Sequence, residues 1–412
     1  MSHVDASAPA GEQLFGRRPS PLYSGTNVGT FYAIHLFGAV VPLAAGLIIY
    51  GWRAAAVVAS VMASAAAAAL VWRRIGHRGR QLRVSHCLWL ALLLSLTLPA
   101  HLASDQTMVG GVRWVLWPLL PAAAITLVIF SWILGGMGSG RVHPVLATYL
   151  VIFVLFQPAL VSHRVLPIRR LFRGDVMDAI APSTDTSSGA LALNSPALEP
   201  REPWYALTGA TLPFYSEPAD RRLIAYTSGR FANRGAASIE MLIRDQMPPL
   251  ENLIIAGNAG AIGTSSIAAI LLGGLLLLYR GLIDYKIPLL IALTAWASIL
   301  ILPIPVVIRE TGAEWHWFAF RAPYLGWAMA VTFANYELFA SPLLFVGFFL
   351  ATAPAVRPMT RRGRIVFAAV VGVLSAATQL YASVQIGPYI ALLIATLLTP
   401  LLDRILEPRP LL

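Results

Sequence analysis

The chain has 412 residues, 57% of them hydrophobic and only 12% charged; a soluble domain carries about 25% charged residues, so a soluble multidomain protein is excluded. The formal charge is +11 and Lys286 is the only lysine; in so apolar a chain, arginine marks cytoplasmic loops rather than nucleic-acid binding. The single cysteine, Cys87, rules out an internal disulfide and any cluster or zinc site built from cysteines of this chain alone.

The first 20 residues are polar and rich in Pro, Ala and Gly. They hold no apolar core of a cleavable signal, so insertion falls to the first span. Apolar runs of about 20 residues, the length of a helix that crosses the hydrocarbon core, then recur. The first half offers spans at 31–50, 53–72, 84–102, 114–134 and 144–163. Residues 164–251 form a polar island, and spans at 252–279, 287–307, 328–355, 364–384 and 386–402 follow it. The expected fold is an all-α polytopic membrane protein of about ten transmembrane helices. Its parts are an N-terminal segment 1–30, a first transmembrane half 31–163, the island 164–251, a second half 252–402 and a tail 403–412. An odd number of spans in each half makes the two run in opposite directions, as inverted repeats with broken helices do.

Arginine sets the orientation. The loop Arg73-Arg74-Ile75-Gly76-His77-Arg78-Gly79-Arg80, with Arg83 behind it, precedes the third span. Arg357, Arg361, Arg362 and Arg364 precede the ninth. Both clusters fall on one side, which is cytoplasmic by the positive-inside rule. Both termini are then cytoplasmic and the island lies outside.

Several signals point to interrupted helices. Leu98-Pro99 stands near the end of the third span, Ser341-Pro342 inside the eighth and Ala353-Pro354 at its end. Proline removes a backbone donor, and the carbonyl it frees must find protein or water. Glycine-rich junctions enter the fifth span (Gly135-Gly136-Met137-Gly138-Ser139-Gly140) and the sixth (Gly257 to Ser266). Glycine permits close approach of a ligand or of another helix. Ionisable side chains in the spans are few: His35, His86, His101 and Glu337. Glu337, just before Ser341-Pro342, suits a proton or cation path. Nothing in the sequence sets two of the histidines on facing helices. Glu314-Trp315-His316-Trp317 reads as an interfacial aromatic belt.

The island contains Thr208-Gly209-Ala210-Thr211. A threonine hydroxyl behind two tiny residues, on the wet side of an apolar protein, is placed to carry a phosphate-linked group.

Several blocks together resemble the NqrB/RnfD family, the large membrane subunits of sodium-pumping NADH:quinone reductase and of the Rnf complex. They are Leu92 to Pro99; Gly135 to Gly138 with His143-Pro144-Val145-Leu146-Ala147; Gly263-Thr264-Ser265-Ser266 with Leu271-Leu272-Gly273-Gly274 and Ile287-Pro288-Leu289; and Phe348 to Pro354 with Arg362-Gly363-Arg364 and Pro400 to Arg404. The chain is identified as a divergent member. The resemblance implies an electron-transfer subunit of a bacterial inner-membrane oxidoreductase complex, not an enzyme alone. Its partners would be the other subunits of an Rnf/Nqr-like complex, a flavin transferase and the lipid membrane. It also implies FMN held as a phosphodiester on Thr211 by the motif Thr208-Gly209-Ala210-Thr211, with Gly263, Thr264 and Ser265 as further cofactor-binding positions. A second flavin or a quinone would lie between the halves. The alternative is a flavin-free scaffold or transport subunit that keeps the inverted-repeat fold. Departures from the family pattern favour that alternative: Tyr205 stands at the motif's aspartate, and Gly263-Thr264-Ser265 lacks the family's acidic residue. Ala353 stands for aspartate and His143 for asparagine, and a near-copy at Asp185 to Leu191 has no acceptor threonine.

Overall fold

The computed structural model describes residues 28–75, 84–103, 106–109, 112–134, 142–156, 160, 237–238, 250–255, 261–309, 312–318, 326–354 and 356–406. Helix α1 (Val28–Tyr50) has 23 residues; at 1.5 Å per residue it reaches about 35 Å, more than the hydrocarbon core. Gly51 ends it with a positive φ of 60°. Its amide donates to the Leu47 carbonyl at 2.9 Å, and the left-handed residue reverses the chain directly into α2 (Trp52–Ile75). Among the described residues, helices α11 (Arg361–Tyr381) and α12 (Gly387–Ile405) complete a set of four that are long and apolar enough to cross a membrane.

The other apolar helices are shorter: α3 (Val84–Thr97), α4 (Leu119–Ile133), α5 (Pro144–Leu155), α7 (Ile267–Tyr279) and α8 (Lys286–Ile301). Between α5 and α7 lies the short α6 (Leu250–Ile255). Helix α9 (Trp327–Ala340) and α10 (Leu343–Leu350, its last five residues a π-turn) are bent by 64° and make one broken span when counted together.

The expectation of a helical protein holds among the described residues, with two small sheets added to it. Strands β1 (Gln106–Val109) and β2 (Val112–Val115) form an antiparallel hairpin, so the span expected from residue 114 starts at Leu119. The span expected over 287–307 stops at Ile301, and β4 (Ile304–Arg309) pairs with β5 (Gly312–His316). Pro303 and Pro305 cannot extend the helix ladder, and the β-branched run from Ile304 to Ile308 suits a pleated strand. β4 also pairs with β3 (Ala237–Ser238), so the end of the polar island and the link between α8 and α9 lie on the same face. The span expected over 252–279 is interrupted: Ile262–Thr264 form a 3-10 turn before α7 begins. Ser266 sets that beginning, its hydroxyl accepting from the Ala269 amide at 3.3 Å.

The core is built on the broken helices. α3 buries residues from His86 to Thr97 on nearly every side, and α10 is buried throughout. α2 packs on α3 and α4, and α4 on α5; α8 packs on α11, and α11 on α12. α1 meets α7 through glycine: a Cβ on Gly273 would stand 2.5 Å from the Gly38 carbonyl. Such backbone contact is how helices associate in lipid, where burial of apolar surface gives no driving force. Leu272, Leu275, Leu289 and Leu293 are exposed on the outer faces of α7 and α8, as lipid-facing side chains are.

Candidate functional site

Two helix breaks meet at the centre of the molecule. As α3 ends, the Ser95 and Thr97 hydroxyls donate back to the Leu92 and Leu94 carbonyls at 2.8 and 2.7 Å. Leu98-Pro99 then runs extended beside the segment that opens α7. Pro99 bridges to Ala261 in antiparallel fashion, and the Ile262 amide donates to the Leu98 carbonyl at 3.0 Å. On the other side α9 stops at Ala340. Ser341 Oγ donates to the Leu338 carbonyl at 3.1 Å and accepts from the Leu343 amide at 3.3 Å, so one hydroxyl serves both ends of the proline break.

Gly263, Thr264 and Ser265 lie between the breaks and are buried. Gly263 touches both: a Cβ there would stand 2.7 Å from Leu96 Cβ and 3.1 Å from Phe345 Cε2. Thr264 Oγ1 donates to the Ala261 carbonyl at 3.1 Å, and Ser265 Oγ to the Ile262 carbonyl at 3.0 Å. The Ala261 carbonyl also accepts from the Thr264 amide at 3.1 Å. Thr208, Gly209, Ala210 and Thr211 lie outside the described residues, as do Gly135 to Gly140 and the side chain of His101.

Beside Thr264 is a cavity of about 10 Å³, the room one water molecule takes. Ala261, Ala340 and Pro342 bound it on one side, and Tyr149 of α5, Gln385 just before α12 and Tyr389 of α12 on the other. The two phenol rings lie 4.6 Å apart. Gln385 Nε2 donates to the Leu160 carbonyl at 3.3 Å. Tyr149 and Gln385 are close enough to influence each other. The Tyr149 hydroxyl faces the Gln385 side chain, while Tyr389 Oη and Gln385 Oε1 have no hydrogen-bond partner. Sequence reading missed these three residues. Tyr149 is far in the chain from Gln385 and Tyr389, and a Tyr or Gln in or beside an apolar helix carries no local signature.

The histidines are also brought together, contrary to the sequence expectation. His35 of α1, His86 of α3 and His143, which caps α5, surround the Trp89 ring at centroid distances of 5.9, 5.9 and 6.3 Å. The Tyr32 ring lies 5.0 Å from that of His86, tilted by 58°. His143 Nδ1 accepts from the Val145 amide at 3.3 Å, and His35 Nδ1 faces the Phe31 carbonyl at 3.0 Å. His35 Nε2, His86 Nδ1 and His143 Nε2 have no partner. Among the described residues no three His, Cys, Asp or Glu side chains are arranged to hold a metal ion.

Glu337 is buried one helical turn before Ala340. The opposite ends of the helices carry charge: Arg364 pairs with Asp284 at 3.4 Å, and Asp403 accepts from the Met359 amide at 3.0 Å. Burial lowers the proton affinity of Arg357 from its ordinary value; the nearby charge of Arg364 acts the same way and Asp284 opposes it. Trp315 of the aromatic-rich strand meets the Tyr381 ring at 5.7 Å, and Trp317 is exposed.

Among known proteins, the chain is similar to the D subunit of the ion-translocating oxidoreductase complex of Mannheimia succiniciproducens, 24% identical over 294 residues and 71% of each chain. It is 25% identical to the protein of the same name from Halorhodospira halophila over 321 residues, 75% of each chain. It is 28% identical over 154 residues to the D subunit of the Na(+)-translocating ferredoxin:NAD(+) oxidoreductase complex of Acetobacterium woodii, 37% of this chain and 39% of the other. The model of the NQR2, RnfD, RnfE family matches residues 19–411, and the chain belongs to that family.

Proposed function

We propose that the chain is an RnfD/NqrB-like integral membrane electron-transfer subunit of a multisubunit, ion-translocating oxidoreductase, carrying electrons through FMN joined to Thr211. The observation that carries this reading is the position of Thr208-Gly209-Ala210-Thr211 in the polar island of a chain matched by the family over residues 19–411. A phosphodiester needs an accessible hydroxyl, and Gly209 and Ala210 leave space around it. The flavin would supply the redox chemistry; the protein supplies its place at the membrane surface.

The reading includes ten spans in two inverted halves, in a bacterial cytoplasmic membrane with both termini inside. Three features support it. In each set of five helices the second packs on the fourth and the fourth on the fifth. The third helix of each set breaks at a proline, Pro99 or Pro342. The pairing of β3 with β4 requires the island and the α8–α9 link to share a face, as a ten-span count does. Other complex subunits would be its partners, as the names of the relatives indicate for those proteins, and a flavin transferase would load Thr211. A second flavin or a quinone would lie between the halves, with Gly263, Thr264 and Ser265 as further cofactor-binding positions.

A second reading is a flavin-free scaffold or transport subunit. Tyr205 at the motif's aspartate and the absence of a carboxylate at Gly263-Thr264-Ser265 favour it. One experiment separates the two. The protein is co-expressed with a flavin transferase, denatured and run on a gel. A fluorescent band that disappears in Thr211→Ala supports flavin attachment. A dark wild-type band overturns it and leaves the scaffold.

A further inference from the structure

We propose that the end of the molecule where α8 and α11 start and α12 finishes is a binding surface for an anionic phospholipid. The first argument is unbalanced charge. Arg357, Arg361, Arg362 and Arg364 stand on the link into α11 and on its first turn, Lys286 opens α8 and Arg404 lies in the last turn of α12. The carboxylates set among them, Asp284 and Asp403, are both occupied. Asp284 accepts from the Lys286 amide at 3.2 Å and pairs with Arg364 at 3.4 Å. Asp403 accepts from the Met359 and Thr360 amides at 3.0 and 3.5 Å. Arg364 also donates to the Pro358 and Met359 carbonyls. Arg357, Arg361, Arg362 and Arg404 have no ion pair among the described residues.

The second argument is where the charges stand. A helix start carries roughly half a positive charge and favours acidic side chains. The first turn of α11 has none; Arg361, Arg362 and Arg364 add to the dipole instead. Half-buried Arg357 lies beside them, its proton affinity already lowered by burial and by Arg364. The other arginine cluster differs. Arg73 and Arg74 lie in the last turn of α2, where the dipole favours cations. Sidedness of the chain accounts for both clusters, but an arginine-only first turn gains from an external anion in a way that the end of α2 does not.

The third argument is the apolar surface that continues from the charges. Tyr285, Leu289 and Leu293 recur at every fourth residue along α8, each more than half exposed, so they share one outer face. Leu397, Leu401 and Ile405 do the same on α12. α11 packs against both helices and presents exposed Arg361 and Arg362 at its start. At their opposite ends α8 and α11 have no basic residue in the last turn. A phospholipid matches this layout, with a negative phosphate above two acyl chains, and basic clusters at membrane helices hold acidic headgroups in this way. An acidic protein face answers the charge but not the apolar stripes that run away from it.

This inference goes beyond the proposed electron-transfer role and needs neither Thr211 nor a flavin. The test uses the full chain, delipidated in a neutral detergent and titrated with phosphatidylglycerol, phosphatidylcholine or water-soluble glycerol phosphate. Two readouts are followed, the melting temperature and the bound lipid counted by native mass spectrometry. Saturable stabilisation and adducts with phosphatidylglycerol are expected, weakening as salt is raised. Arg361→Gln/Arg362→Gln should bind it about tenfold more weakly or worse, while melting in detergent alone no lower than wild type. Arg73→Gln/Arg74→Gln removes the same charge elsewhere and should leave that affinity unchanged. Equal loss in the two double variants means diffuse attraction and overturns the site. Equal stabilisation by phosphatidylcholine or by glycerol phosphate overturns it as well, leaving a general lipid belt or a water-facing anion site. No response to any of the three overturns it and leaves the arginines to an acidic face of another subunit. Should the Arg361→Gln/Arg362→Gln variant fail to fold, the wild-type comparison of the three ligands decides alone. Neither readout depends on the gel fluorescence that tests Thr211, so either idea can fail without the other.

Discussion

The Ile262 amide donates to the Leu98 carbonyl at 3.0 Å, and this bond joins the two halves of the chain where both have lost helical structure. A carbonyl freed by a proline break inside a membrane protein must be satisfied by protein or water. Here the partner comes from across the molecule. Gly263 makes the approach possible, since a Cβ on it would press to 2.7 Å from Leu96 Cβ and 3.0 Å from the Leu96 carbonyl. Gly263→Ala is therefore expected to destabilise the fold by about 1–3 kcal/mol. Thermal unfolding in detergent would read this as a lower melting temperature. Hydrogen exchange should also quicken at the Ile262 amide before it does elsewhere. Unchanged exchange at that amide would mean that the crossing does not depend on the glycine.

Gly372 plays the same part in the second half. A Cβ on it would collide with Thr294 Oγ1 and stand 2.6 Å from the Ile291 carbonyl, which is backbone and cannot swing away. Gly372→Val should push α11 off α8 and cost about 3 kcal/mol, near the upper end for overpacking. Gly281→Ala serves as the control for space, because nothing lies within 4 Å of the place its Cβ would take. Its positive φ of 68° makes its penalty a local backbone one, on the order of 1 kcal/mol.

Much of this was legible in the sequence. Leu98-Pro99 and Ser341-Pro342 mark the helix breaks, because a missing amide is a local property. The arginine clusters and the long apolar runs are local in the same sense. The ends of the spans were less legible. Residues 301–307 are as apolar as the helix before them, and hydropathy alone does not separate a strand from a helix there. The break at Ala261 to Ser266 was visible only as glycine, which fits a close contact as well as an interruption. The Tyr149–Tyr389 pair and the histidine group around Trp89 come from different helices, and their assembly is tertiary.

The orientation has its own test. Cys87 is buried, and Cys87→Ser gives a background without cysteine. In that background, Ser187→Cys in the island should react with a membrane-impermeant maleimide on intact cells. Gly79→Cys in the arginine loop should react only after the cells are opened. The reverse pattern would invert the protein and bring Thr211 to the cytoplasmic side.

His143 offers a prediction that separates a local role from a tertiary one. It caps α5 through Nδ1, which accepts from the Val145 amide, and Pro144 follows it at the first helical position. Asparagine, the residue that stands here in the family pattern, is at least as good an N-cap. His143→Asn should thus leave stability within roughly 0.5 kcal/mol of wild type, whereas His143→Ala should lower it by about 1 kcal/mol. The ring has a second neighbour, since its centroid lies 6.3 Å from that of Trp89. Asparagine cannot replace that contact. If His143→Asn destabilises as much as His143→Ala, the imidazole matters through the group around Trp89 and not through the cap. Thermal melts of the two variants, run beside Trp89 emission spectra, decide which.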